Sequence, residues 1–185
     1  MQKSNHLITQ DIKKLIIQIA IPSSVGMFFN TMYNVVDTFY VGLISTIAIS
    51  ALSYSFVVYF MLLSISFGLS SAITVYVGNS LGKKRISLAK IYVSNGISFF
   101  SFVSIILCIF GFLFSKDIFI LMGATGEALD LALEYTYVIL IGTIPMLIGL
   151  GANAVLVARG NTKSYRNTLI FGFFLNLILD PLFIY

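Results

Sequence analysis

The chain is poor in the residues that carry most enzyme chemistry. Its 185 residues include one histidine, His6, and one cysteine, Cys108. A single cysteine excludes an intrachain disulfide, and Cys108 lies inside an apolar run. His6 has no partner near it in sequence. No metal-ligand spacing, nucleophile–base set or Walker-type phosphate loop appears anywhere, which argues against an enzyme. Charge is scarce too. Asp, Glu, Lys and Arg make up 10% of the chain, against roughly 25% in a soluble domain. No cleavable signal is expected at the front: MQKSNHLITQDIKK is polar, and no clear small-residue cleavage site follows it. The net charge of +4 does not indicate a nucleic-acid partner. The basic residues gather at the ends of apolar runs, where membrane topology accounts for them.

What the chain has instead is length without charge. It is 58% hydrophobic, with a mean hydropathy of +1.00. Residues 15–36 form 22 uncharged positions in a row, and 38–82 form 45. A helix crosses the hydrocarbon core in about 20 residues. The pattern predicts an all-α integral membrane protein with five transmembrane helices at about 12–41, 47–80, 88–115, 127–157 and 162–185. A polar cytoplasmic tail, 1–11, precedes them. Gly42 to Thr46 reads as the first turn, and a mixed loop is expected from Lys116 to Glu127. Glu127, Asp130 and Glu134 suit the start of the fourth helix, where the dipole favours negative charge. Pro22 stands in the first third of the first helix and predicts a kink there.

Orientation follows from the cations. Lys3, Lys13, Lys14, Lys83, Lys84, Arg85, Lys90, Arg159, Lys163 and Arg166 fall on one side of this arrangement, and Lys116 alone on the other. That asymmetry predicts a multi-pass protein of the plasma membrane, the inner membrane in a bacterium, with its N-terminus cytoplasmic. An odd helix count, ending inside an apolar run, leads us to expect a chain truncated before a sixth helix.

Two polar stripes interrupt the apolar runs. Asn30, Tyr33, Asn34 and Asp37 sit at i, i+3, i+4 and i+7, on one helical face. Thr168, Gly172, Asn176 and Asp180 repeat every four residues on the fifth helix. An ionised Asp in hydrocarbon costs about 2.5–3.5 kcal/mol on insertion scales. Counted from Arg166, Asp180 lies roughly 21 Å deep; counted from Lys14, Asp37 lies roughly 34 Å along its helix. Both fall in the outer half, so the two acids are expected to share a site. Two carboxylates in a low dielectric cannot both stay ionised alone. The pair would hold one proton or a small hard cation, with Asn34 and Asn176 offering carbonyl oxygens. No other cofactor is implied.

Plainer readings stand beside these. Asp37 could be an interfacial carboxyl at the turn before the second helix, and Asp180 owes part of its setting to Pro181. Asn30, Asn34, Asn153 and Asn176 could be interhelical glue. Tyr33, Tyr135 and Tyr137 could be packing or interface aromatics. Gly142, Gly149, Gly151 and Gly172 read as close-packing positions. Lys83-Lys84-Arg85 reads as a topology determinant first and a lipid-headgroup contact second.

Several of these stretches resemble a known family. Pro22, then Tyr33-Asn-Val-Val-Asp37-Thr-Phe-Tyr-Val-Gly42, Gly78-Asn-Ser-Leu-Gly82, Arg159-Gly-Asn-Thr162 and Asn176-Leu-Ile-Leu-Asp180-Pro181 are similar to the N-terminal part of multidrug and toxic compound extrusion (MATE) transporters. Asn79 departs from the Gln usual there. The resemblance covers essentially the whole chain. It implies five helices of a six-helix lobe, and a C-terminal lobe that this chain lacks. Twelve helices in two lobes would be related by a pseudo-twofold axis. It also implies export of cationic amphipathic drugs or toxic compounds against inward H⁺ or Na⁺. It places Asp37, Asn176 and Asp180 at a cation site, and Asn30, Tyr33, Tyr135 and Asn153 on a substrate cavity. Bending near Pro22 would couple protonation to release. Two other readings compete. A lipid-linked oligosaccharide flippase of the same superfamily would need basic residues in mid-membrane for pyrophosphate, and none is there. A non-transporting assembly subunit would pair its polar groups among themselves.

Overall fold

Long stretches free of glycine clusters and central charge form long helices. A computed structural model describes residues 10–184, in five α-helices: α1 Ile12–Ile44, α2 Thr46–Gly82, α3 Ile86–Leu121, α4 Gly126–Ala158 and α5 Lys163–Ile184. Each is long and apolar enough to cross a membrane. Residues 1–9, with Lys3, His6 and most of the expected tail, lie outside the described residues, as does Tyr185.

The helix ends show why the boundaries differ from the sequence reading. Asp11 caps α1: its Oδ1 accepts from the Lys13 N–H at 3.2 Å, satisfying an orphan donor of the first turn. The turn expected over 42–46 shrinks to Ser45. Its Oγ accepts from the Ala48 N–H at 3.0 Å and caps α2, so α1 continues through Gly42 to Ile44. The expected loop after 115 is also shorter. Lys116 and Asp117 lie inside α3, which stops at Leu121. A helix of 36 residues is about 54 Å long and outruns a hydrocarbon core of about 30 Å. Its last turns can therefore carry charge in water without breaking.

Three helices end in the same six-to-one, five-to-two backbone pattern. After α3 the Ala124 and Gly123 N–H groups donate to Phe119 and Ile120; after α4 the Asn161 and Gly160 N–H groups donate to Leu156 and Val157. Gly123 and Gly160 occupy the left-handed position at φ 90° and 75°. After α2 the same position is filled by Lys84 at φ 56°. An L side chain there costs roughly 1–2 kcal/mol.

Two compact units arise from the chain. The first takes Met1–Asp37, Ser71–Ser94 and Asn153–Tyr185; the second takes Thr38–Ser70 and Asn95–Ala152. The second unit has a core of Ala51, Val58, Leu62, Phe119, Ala124, Ala132 and Leu140. Ser55 and Thr136 are fully buried within it and joined at 2.9 Å. Ser55 in turn reaches the Ala132 carbonyl, so buried hydroxyls tie α2 to α4 with their polarity satisfied. Small residues permit close approach in this unit: Gly151 lies against the Phe100 ring, and a Cβ on Gly111 would overlap the Leu140 side chain. Gly142, Gly149 and Gly172 are not close-packed as expected, because a Cβ on any of them meets open space. In the first unit Thr74 donates to the Ala154 carbonyl at 3.3 Å, and the Tyr76 and Tyr92 rings lie 5.2 Å apart. Large apolar side chains such as Phe183 and Leu121 are 81% and 86% exposed. That is the sign of a lipid-facing exterior rather than a soluble surface.

Candidate cation site on helices 1 and 5

The first unit sets α1 beside α5. Gly26 is buried, and a Cβ built on it would lie 3.2 Å from Leu169 Cδ1 and 3.4 Å from Arg166 Cα. A residue without a side chain lets the backbones approach at this point. One turn on, Phe29 meets Phe173 edge to face, with centroids 5.4 Å apart. Further along, Asp37 meets Asn176. Residues 26, 29 and 37 thus match 166–169, 173 and 176–180, and the two helices run parallel.

This register corrects the depth estimate. Arg166 lies level with Gly26, not with Lys14. Measured from that shared level, Asp37 is about 16 Å along α1, between Asn176 at about 15 Å and Asp180 at about 21 Å along α5. The first turns of α1 project past the start of α5, which made Asp37 look deeper than its partner.

Asn176 is the centre of the group. It is 7% exposed. Its Nδ2 donates to Asp37 Oδ1 at 2.8 Å and to Asp180 Oδ1 at 2.7 Å. One amide nitrogen has two hydrogens, so both are engaged, one on each carboxyl. Asp180 also lies near enough to Asp37 for their carboxyl groups to interact directly. Two buried oxygens have no hydrogen-bond partner: Asn176 Oδ1 and Asp180 Oδ2. The sequence holds no Lys or Arg from residue 15 to 82 or after 166. Neither helix therefore supplies a counter-charge at this level. Two facing, half-buried carboxylates without a cation are costly, so the group is chemically suited to a shared proton or a small cation bound through oxygen.

The other expected residues are placed as follows. Asn34 donates its Nδ2 to the Asn30 carbonyl at 2.8 Å, along its own helix. Its amide nitrogen is thus turned to α1 backbone. Asn30 is exposed and Tyr33 is 38% exposed. Asn153 is half-buried, and its Oδ1 lacks a partner. Pro22 is buried, and α1 runs unbroken through it while Ser23 Oγ donates to the Ile19 carbonyl. Tyr135 belongs to the second unit and is 38% exposed. Gly26, which positions α5 against α1, was not singled out by sequence reasoning. The available signal was a lone glycine four residues after Pro22 in an apolar run.

The chain is similar to several known proteins. The family model described as MatE matches residues 22–182. The FAD transporter of Shewanella oneidensis is 24% identical over 185 residues, covering 100% of this chain and 41% of its own length. The probable multidrug resistance protein YoeA of Bacillus subtilis is 26% identical over 137 residues, covering 74% of this chain and 30% of its own. A solved multidrug resistance MATE family transporter of the MOP superfamily, in its outward-facing conformation, superposes with a TM-score of 0.93 at 26% identity. That match covers 100% of this chain and 41% of the transporter. The chain thus spans less than half the length of these relatives. Members of this family are transporters rather than enzymes. With 22–182 matched and five apolar helices superposed on a solved member, the chain belongs to the MatE family of multidrug and toxic compound extrusion transporters.

Proposed function

We propose that this chain is the cation-binding part of an antiporter that exports cationic, amphipathic compounds against inward H⁺ or Na⁺. Asp37 and Asp180 take up the cation from outside, held in place by Asn176. Na⁺ would be bound by Asp37, Asn176 and Asp180. Uptake changes how α1 packs against α5, with Pro22 as the flexible point, and displaces substrate from Asn30, Tyr33 and Asn153. Asn34 assists through its carbonyl oxygen. The transport unit is completed by a further lobe, and release of the cation inward resets the site. The observation that carries this reading is the Asn176 amide donating to two carboxyls where the sequence offers no basic residue.

An assembly subunit would be expected to satisfy its buried polar atoms. Asn176 Oδ1 and Asp180 Oδ2 remain without partners, which favours an exchangeable ligand instead. A flippase for pyrophosphate-linked sugars is disfavoured by the lack of basic residues on these stretches. A second substrate reading has one specific support: a relative that aligns with the whole chain is named a FAD transporter. On that reading the same cation site drives export of a large anionic dinucleotide.

The test is Asp37→Asn in the full-length protein, reconstituted in vesicles with an imposed H⁺ or Na⁺ gradient. We expect coupled export of a cationic dye to be abolished, with expression unchanged. Undiminished export by the variant would refute the assignment. Export of FAD in place of the dye would select the second substrate reading.

A further inference from the structure

The turn between α2 and α3 carries three consecutive cations, Lys83, Lys84 and Arg85. Topology needs only that such charges exist at a span end; a loose loop would serve. This turn is not loose. The Lys83 N–H donates to the Asn79 carbonyl at 3.0 Å, Lys84 to Leu81 at 3.0 Å and Arg85 to Ser80 at 2.9 Å. Arg85 also accepts from Ala89 as α3 begins. Three backbone amides in a row are thus pinned, and all three side chains are exposed.

Lys84 adds a second observation. It holds the left-handed position that glycine occupies at both other helix ends of this kind, Gly123 and Gly160. A cation is kept where glycine would be easier to accommodate. Lys90, one turn along α3 from Ile86, is exposed on the same side. Ile86 and Ile91 are 38% and 53% exposed beside it. The surroundings offer almost no opposing charge. The acids in this unit are Asp11, at the α1 cap, and the Asp37 and Asp180 pair at Asn176.

We propose that this turn is a preorganised site for the headgroup of an anionic phospholipid, with Lys83, Lys84, Arg85 and Lys90 around the phosphate and Ile86 and Ile91 along the acyl chains. A fixed backbone removes much of the ordering cost that a flexible basic loop would bear on binding. The exposed apolar side chains next to the cations fit a lipid and have no use for a free anion. The proposal is independent of the transport reading.

The test is native mass spectrometry of the full-length protein in detergent, offered phosphatidylglycerol or phosphatidylcholine of the same acyl length. We expect phosphatidylglycerol to be retained in preference, and retention to weaken as salt rises. Lys84→Gly, which removes one charge and relieves the left-handed conformation, should lower retention about fivefold. Lys83→Gln should act alike, and Lys116→Gln, in the other unit, should not. Equal retention of the two lipids overturns the proposal, and so does unchanged retention in both cluster variants. Displacement of the lipid by inorganic phosphate overturns the lipid assignment in favour of a free-anion site. If a variant fails to fold, the comparison of the two lipids on the unmodified protein decides alone.

Discussion

Asn176 can serve two carboxyls because an amide nitrogen carries two hydrogens, and Asp180 one turn away brings the second carboxyl to the same spot. Removing the amide leaves two acids facing each other with no shared donor. Asn176→Ala should therefore destabilise the full-length protein by about 1–3 kcal/mol, read as a lowered unfolding temperature in detergent. The loss should shrink when Asp37→Asn is added, since one of the facing charges is then gone. A loss equal in both backgrounds would mean that Asn176 acts by packing alone. Lys84 gives a residue-scale prediction of opposite sign. Lys84→Gly should stabilise by roughly 0.5–1 kcal/mol, because the relief of a left-handed side chain outweighs the extra freedom of unfolded glycine. At this scale the sequence showed which residues were polar but not whom they would bond. Asn34 and Asn176 look equivalent as intramembrane amides, yet one donates along its own helix and the other across to α1. Which neighbour an amide finds depends on the register of a helix 139 residues away.

Between α1 and α5 the register rests on a small contact. Gly26 allows the Arg166 backbone and Leu169 side chain to come near, and the Phe29–Phe173 pair fixes the next turn. Gly26→Leu should push α5 away and uncouple Asp37 from Asn176. Coupled transport by the full-length protein should fall at least about tenfold, as when a site is misplaced by about 1 Å. Gly172→Ala, where a Cβ meets open space, should leave transport unchanged. If both variants behave alike, the contact at Gly26 does not set the register. Helix existence was legible at this scale because uncharged runs of such length admit few other structures in lipid. The ends were less so. The boundary at Ser45 is decided by one hydroxyl accepting one N–H, and the continuation of α3 past Lys116 by hydration beyond the hydrocarbon.

Across the whole molecule, nine described basic residues sit on the segments Met1–Asp37, Ser71–Ser94 and Asn153–Tyr185, and Lys116 sits apart from them. This leads to a topology prediction. In a Cys108→Ser background, Lys84→Cys and Thr125→Cys lie at the two ends of α3 and should label from opposite sides with an impermeant thiol reagent. Position 84 should react only when the cytoplasmic face is open. Labelling of both from one side would overturn both the crossing of α3 and the assigned orientation. The exposed apolar surface carries a further expectation: the chain should stay in the membrane fraction in alkaline carbonate and leave it only with detergent.

Membrane residence, five helices and the two polar stripes follow from the sequence alone, because hydropathy and helical period are local properties of consecutive residues. The bridging of Asp37 and Asp180 by one amide does not follow from it. That depends on two helices with most of the chain between them packing in parallel at Gly26, a contact that no count along either helix contains.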